Sequence, residues 1–267
     1  MATTLRTGTA PIDVEVDPIS RIEGHLGVKV TIGVDGYITD AKAHGNLWRG
    51  FENFLLGRNI NDAITYTQRI CGVCPVPHGT ASMFAVDTVL GYSKGHITFK
   101  FDGTWGVPAK AVLIRNLVLA AEFLMSSITH FYHLAAPSYV QGPAMPPWTP
   151  YFDDEYYAEQ LRSMGDAVPD TNPATQKLWD AVILSYVKAL KIRRKTFEAG
   201  ALFAGRMPMT SCFVGGGVTN NFTAAEWNSR CDKFRDLMEE VATFIVKEYV
   251  PIFLALGALY LPYDNSF

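Results

Sequence analysis

Two long runs of helical periodicity constrain the fold of this chain most. In NPATQKLWDAVILSYVKALKIRRKTFEAGALFAG (172–205) and TAAEWNSRCDKFRDLMEEVATFIVKEYVPIFLALGAL (223–259), apolar residues recur at i, i+3 and i+4. That spacing lays one stripe of each helix against a core. A third apolar stretch, Val107 to Pro137, is interrupted by Arg115, Glu122, His130 and His133. Charges at that frequency are costly in a bilayer, so it reads as a buried helix and no transmembrane segment is expected.

The N-terminal part follows a different period. IDVEVDP alternates in the strand manner, and HLGVKVTIGVDGYITDAKAHG reads as a hairpin turning at Asp35-Gly36. From Trp48 the pattern turns helical. WRGFENFLLG stops at Gly57, and NINDAITYTQRI offers Asn61 or Asp62 as its N-cap. A further helix is expected over GTASMFAVDTVLGY, and RMPMTSCFVGGGVTN reads as a glycine-rich turn. The expected fold is mainly α, a long-helix bundle with a small N-terminal antiparallel β-sheet. No convincing linker divides residues 1–267, which read as one region with the sheet over 1–47 and the bundle over 48–267. With 48% hydrophobic and 18% charged residues the chain can build a sizeable core. A net charge of −3 gives no electrostatic case for nucleic acid.

Chemistry concentrates in RICGVCPVPHGTAS (69–82), where Cys71 and Cys74 bracket Gly-Val and His78 follows four residues later. A redox dithiol normally follows a strand, and here a helical stretch precedes the pair and two prolines follow. A structural zinc site needs a second close pair, and the other cysteines, Cys212 and Cys231, are far apart in sequence. A soft transition metal held by thiolates is the remaining reading, with a partner segment completing its coordination. Pro75 and Pro77 are expected to hold the cysteine loop out of regular helix.

Several separate stretches, in order, resemble the large catalytic subunit of [NiFe] hydrogenases. They are DPISRIEGHLGVKV (17–30), WRGFENFLLGRN (48–59), RICGVCPVPHGTAS (69–82), THFYHLAAPSYVQGP (129–143) and AGRMPMTSCFVGGGVT (204–219). The resemblance implies reversible heterolytic cleavage of H2 to protons and electrons at a nickel–iron centre held by four thiolates, with carbon monoxide and cyanide on the iron. By position Cys71 would be a terminal nickel ligand, and Cys74 would bridge nickel and iron. His78 would stand behind the sulfurs as a hydrogen-bond donor, and Glu23 would relay protons. Glu52 would match a glutamate binding a structural magnesium or iron. His130 and His133, three apart on one helix face, read as buried and hydrogen-bonded. Ser126 and Ser127 stand where many relatives carry an acid or a histidine. A partner subunit would carry the iron–sulfur clusters, since this chain has too few cysteines to bind its own. Non-catalytic subunits of related fold exist, but retention of Cys71, Cys74 and Glu23 argues against that class, as the missing second pair does against a zinc module.

The resemblance also implies a second Cys-x-x-Cys that these residues do not contain, so Cys212 is assigned to packing. The remaining thiolates are expected from a separate C-terminal large-subunit polypeptide, unless the chain is a truncation or fragment. No secretory leader is legible in MATTLRTGTAPID. The resemblance implies a periplasmic or membrane-associated site reached by co-export with the small subunit, and a cytoplasmic one remains compatible. The isolated chain is expected to assemble no complete nickel–iron centre. Infrared bands of metal-bound carbon monoxide and cyanide, recorded on the chain purified without partners, would refute this.

Overall fold

The structure is a computed structural model describing residues 10–92, 106–140 and 173–261. It forms two compact units, Met1–Leu56 and Gly57–Phe267, and its class is the mainly helical one with a small antiparallel sheet.

In the first unit, β1 (Ile12–Val16), β2 (Leu26–Ile32) and β3 (Ile38–Gly45) pair in that order, antiparallel throughout. The alternation seen in the sequence sets the register, with Ile12 opposite Ile32, Val14 opposite Val30 and Val16 opposite Val28. Asp35 and Gly36 lie in a five-residue connection in which Gly33 N–H donates to Tyr37 O (2.8 Å) and Asp35 Oδ1 accepts from Tyr37 N–H (3.2 Å). Gly36 takes φ +82°, the left-handed conformation that favours glycine. The helix expected over WRGFENFLLG is shorter than its pattern: α1 spans Phe51–Phe54 alone. Gly50 (φ +69°) and Gly57 (φ +74°) bracket it in left-handed conformations that interrupt a right-handed helix.

The second unit begins with α2 (Ile60–Thr67) and α3 (Pro75–Val89). The N-cap of α2 is Asn59, whose side chain accepts from Asn61 N–H at 3.0 Å, and neither Asn61 nor Asp62. An asparagine two residues before Asn61 satisfies the orphan donor, and the two expected caps fall inside the first turn. The long apolar helix is α4 (Ala109–Thr129), continuing as a π-helical turn over His130–Ala135 and a 3₁₀ turn over Ala136–Ser138. The Pro-rich loop expected after it lies outside the described residues from 141 onward.

Then come α5 (Pro173–Ala204), a short hairpin of β4 (Phe213–Val214) and β5 (Gly217–Val218), and α6 (Ala224–Phe244). A π stretch, Ile245–Tyr249, leads into α7 (Val250–Tyr260). A capping box opens α6: Thr223 Oγ1 accepts from Glu226 N–H while Glu226 Oε2 accepts from Thr223 N–H at 2.8 Å. Each π stretch ends one or two residues before a proline, Pro137 or Pro251. Proline supplies no N–H to the ladder, and a widened turn reassigns the affected carbonyls. Both departures interrupt what the sequence suggests are uninterrupted helices.

The helix α4 crosses two cores. Its C-terminal end packs Ile128, with Phe131 and Tyr132 of the π turn, against Trp179 and Val182 of α5 and Val241 and Phe244 of α6. Its N-terminal half packs Ile114 and Val118 with Ile64, Val76, Met83, Phe203 and Phe213. Ala109–Ser138 and Ala224–Leu259 are both long and apolar enough to cross a membrane by length and composition alone. The first is half buried inside the protein and carries Arg115 and Glu122, as a core helix does.

Arg115, 4% exposed, centres a buried polar network in this unit. Its Nη1 donates to Asp87 Oδ2 at 2.7 Å, Nη2 to Val214 O at 2.8 Å and to Gly217 O at 3.0 Å. Asp87 Oδ1 in turn accepts from Gly216 N–H at 2.7 Å. The network ties α3, α4 and the β4–β5 turn together with the ions satisfied on several sides. Glu122 is fully buried beside Ser126, and burial pushes its carboxyl up to about 7, against weaker lowering by Ser126 and Arg193.

Two outcomes follow for the stability of the purified chain. Arg115→Met strands a buried carboxylate, and urea unfolding should show a loss of about 3–5 kcal/mol. The double change Arg115→Met, Asp87→Leu should lose less, because no unpaired ion remains. For Glu122 the unfolded carboxyl ionises near its ordinary value while the folded one holds its proton to about 7. Its contribution is complete at low pH and is lost as pH rises through 7, on the order of 3 kcal/mol. Glu122→Gln should lack this slope and be the more stable form at pH 8.

Candidate metal centre

Helix α2 ends at Thr67, and Arg69 and Ile70 N–H groups close its last turn on Tyr66 and Thr67 carbonyls. Four residues later α3 begins at Pro75 with Cys74 as its N-cap. Here residues 71–74 stand outside regular helix, as expected of the prolines, but the helix expected from Gly79 begins earlier, at Pro75. Pro75 and Pro77 lie inside the first turn of α3 and start the helix, where the missing N–H groups have no intrahelical acceptor to lose. Cys74 and His78 therefore stand four apart at one helix end, on the same face.

The result is a compact donor set. One ligand atom each from Cys71, Cys74 and His78 lies within 4.8 Å of the others. Cys71 is buried, and Cys74 and His78 are half-buried. Cys71 Sγ accepts from Val73 N–H (3.3 Å) and Cys74 N–H (3.0 Å). These two donors fix the orientation of the Cys71 sulfur at the N-terminal end of α3. Thr67 Oγ1 donates to His78 O at 3.4 Å, joining the two helices next to the ligands. Two soft sulfurs and an imidazole suit a thiophilic transition metal and fit poorly to calcium or magnesium. Cys212 is buried in the core, where desolvation pushes its thiol up to about 12, and Cys231 packs against the same cluster.

Two other anticipated residues lie in the first unit. Glu23 sits exposed in the connection between β1 and β2. Glu52, on α1, accepts from Trp48 Nε1–H, a bond that holds its exposed carboxyl below the ordinary range. The histidines of HFYH do not share a face, because they fall in the π turn. His130 points outward and is exposed, while half-buried His133 bonds Tyr186 O at 3.2 Å and its ring meets Tyr186 edge-on. Ser127 Oγ donates back to Phe123 O at 2.9 Å.

The sequence reading did not single out Gln68 or Asp87. Arg115 and Glu122 were visible only as charges inside an apolar run. That mismatch is the signal that buried polar groups leave.

Two cysteines and a histidine that converge at a helix start form a donor set suited to a thiophilic metal. The sequence profile described as "Nickel-dependent hydrogenase" matches residues 49–145 and 169–266, and a HoxL-like profile matches 13–44. Over 93% of its length the chain is 37% identical to the periplasmic [NiFeSe] hydrogenase large subunit of Desulfomicrobium baculatum, covering 44% of that protein. Over 88% it is 31% identical to the quinone-reactive Ni/Fe-hydrogenase large chain of Wolinella succinogenes, covering 43%. The solved structure of H2-activated D. baculatum [NiFeSe]-hydrogenase superimposes with TM-score 0.75 at 35% identity, covering 95% of this chain and 47% of that one. The chain belongs to the nickel-dependent hydrogenase family, and it spans less than half the length of the relatives it matches.

Proposed function

We propose that this chain supplies the N-terminal half of the large subunit of a [NiFe]-type hydrogenase, which cleaves H2 reversibly and heterolytically into protons and electrons. The observation that carries the reading is the convergence of Cys71, Cys74 and His78 within 4.8 Å, with two backbone N–H groups on the Cys71 sulfur. Family membership supports it.

In this reading Cys71 would serve as a nickel ligand and Cys74 as a ligand shared by nickel and iron, with carbon monoxide and cyanide on the iron. When bound, the centre supplies the redox-active metals at which the H–H bond is polarised. The protein's own groups do the rest. The N–H donors from Val73 and Cys74 fix the orientation of the Cys71 sulfur. His78 donates a hydrogen bond toward the sulfurs from the first turn of α3. Glu23 accepts the proton released at the thiolate and passes it outward, a task its carboxylate performs in both directions. Glu52, held ionised by Trp48, offers a hard oxygen to a structural magnesium or iron.

Cys212 and Cys231 belong to the core, so a C-terminal large-subunit segment provides the other two thiolates, as a separate polypeptide where the subunit is split. Activity depends on that segment. Electrons leave to an iron–sulfur small subunit, and the complex resides in the periplasm or at the membrane by co-export with it, as the name of one relative suggests.

The test uses the assembled complex. It should contain nickel and reduce a viologen dye with H2. Glu23→Gln should lower that rate about 100-fold or more while leaving nickel content unchanged. A native complex without nickel and without H2-dependent dye reduction would sink the reading.

A further inference from the structure

We infer that Gln68 is a positioning residue for the thiolate pair, locking the end of α2, the start of α3 and the segment before β4 into the spacing that brings Cys71, Cys74 and His78 together. The inference rests on the metal-centre reading above and concerns a residue which that reading does not use.

Gln68 follows the last residue of α2, three residues ahead of Cys71, and its side chain is 1% exposed. Its Nε2 donates to Ile64 O at 3.0 Å and to Thr210 O at 3.2 Å. Both acceptors are carbonyl oxygens, which settles the amide orientation. The third contact is steric. A Cβ added at Gly79, the residue after His78, would lie 2.8 Å from Gln68 Cγ and 3.1 Å from Cδ. The amide thus lies flat against the bare backbone of α3 beside a metal-site histidine. One side chain gauges three segments at once, and two of them carry the ligands.

The polar atoms around it add a second argument. Among the described residues, Gln68 Oε1, Thr80 Oγ1 and Thr210 Oγ1 are buried with no hydrogen-bond partner. All three lie on the segments that Gln68 joins. A buried amide that leaves its acceptor unmet costs stability, and an apolar side chain of similar volume would avoid that cost. A glutamine here is therefore explained by the two directed bonds it donates. Methionine could fill the volume and hold nothing in place.

Nickel(II) chloride, titrated into the reduced full chain, is the probe, read by sulfur-to-nickel charge-transfer absorption. Thermal midpoints are recorded in parallel. The wild-type chain should show the band, and Cys71→Ser should lose it. Gly79→Ala and Gln68→Met should each weaken nickel binding about 10- to 100-fold and shift the band. Gln68→Met keeps the volume of the side chain, so it reports on the bonds even if Gly79→Ala fails to fold. Gln68→Ala combined with Gly79→Ala should bind better than Gly79→Ala alone, since the added methyl then enters space the glutamine has vacated.

Wild-type affinity and an unchanged band in Gln68→Met would overturn the inference, whatever happens to its thermal midpoint. So would a Gln68→Ala, Gly79→Ala double variant that binds nickel no better than Gly79→Ala alone. Absence of the band in the wild-type chain would overturn the inference, while the metal-centre reading is decided separately by the nickel content of the assembled complex.

Discussion

The second unit depends on one buried ion pair. Arg115 reaches from the middle of α4 to Asp87 near the end of α3, and both ions spend their remaining bonding capacity on the β4–β5 turn. No hydrophobic contact could specify the relation of two helices and a hairpin so narrowly, because apolar packing tolerates sliding and a guanidinium fork does not. The glycines of the turn belong to the same arrangement. A side chain at Gly215 would collide with Val86 and Leu90, and one at Gly216 with Tyr92. The backbone amides therefore approach α3 closely enough to bond Asp87 and Asn61.

This clamp sits toward the far end of α3 from the metal ligands. Gln68 and Thr210 perform the corresponding task at the near end, using the chain that leads into β4. Residues 210–217, which lie far away in sequence, thus bond one end of α3 through Asp87 and the end of α2 through Gln68, whose side chain packs on Gly79 at the other end of α3. A rod pinned at two points has little freedom to tilt, and its first turn carries Cys74 and His78.

Much of this was legible in the sequence. The period of α5 and α6, the alternation of β1 and β2 and the CxxC with its histidine all rest on spacing within one segment. Spacing of that kind is what a sequence displays directly. The two π turns left no such trace, since a shift from i+4 to i+5 pairing changes no composition, although the proline shortly after each is a local hint. Pro75 and Pro77 do hold the cysteine loop out of regular helix, but the start of α3 at Pro75 was missed because the same residue starts helices and stops them according to position. Gln68 was invisible for a different reason. Its meaning lies in Thr210 and Gly79, and no rule of spacing links residue 68 to residue 210. Glu23 and Glu52 were legible through family resemblance alone, and their surroundings in the first unit are those of exposed carboxylates.

The eight residues from Cys71 to His78 also bear on the order of folding events. Their three ligand atoms meet through a single tight turn and the first turn of one helix, contacts of the lowest sequence separation. Contacts so local incur little loop-closure entropy and form early. The amide bond from Gln68 to Thr210 closes a loop of 142 residues and belongs to the end of the process. The chain therefore has a pliable ligand turn before it has a rigid one. An ion captured during that interval meets sulfurs that can still move toward it, and late closure around Gln68 then converts a forgiving ligand into an exacting one.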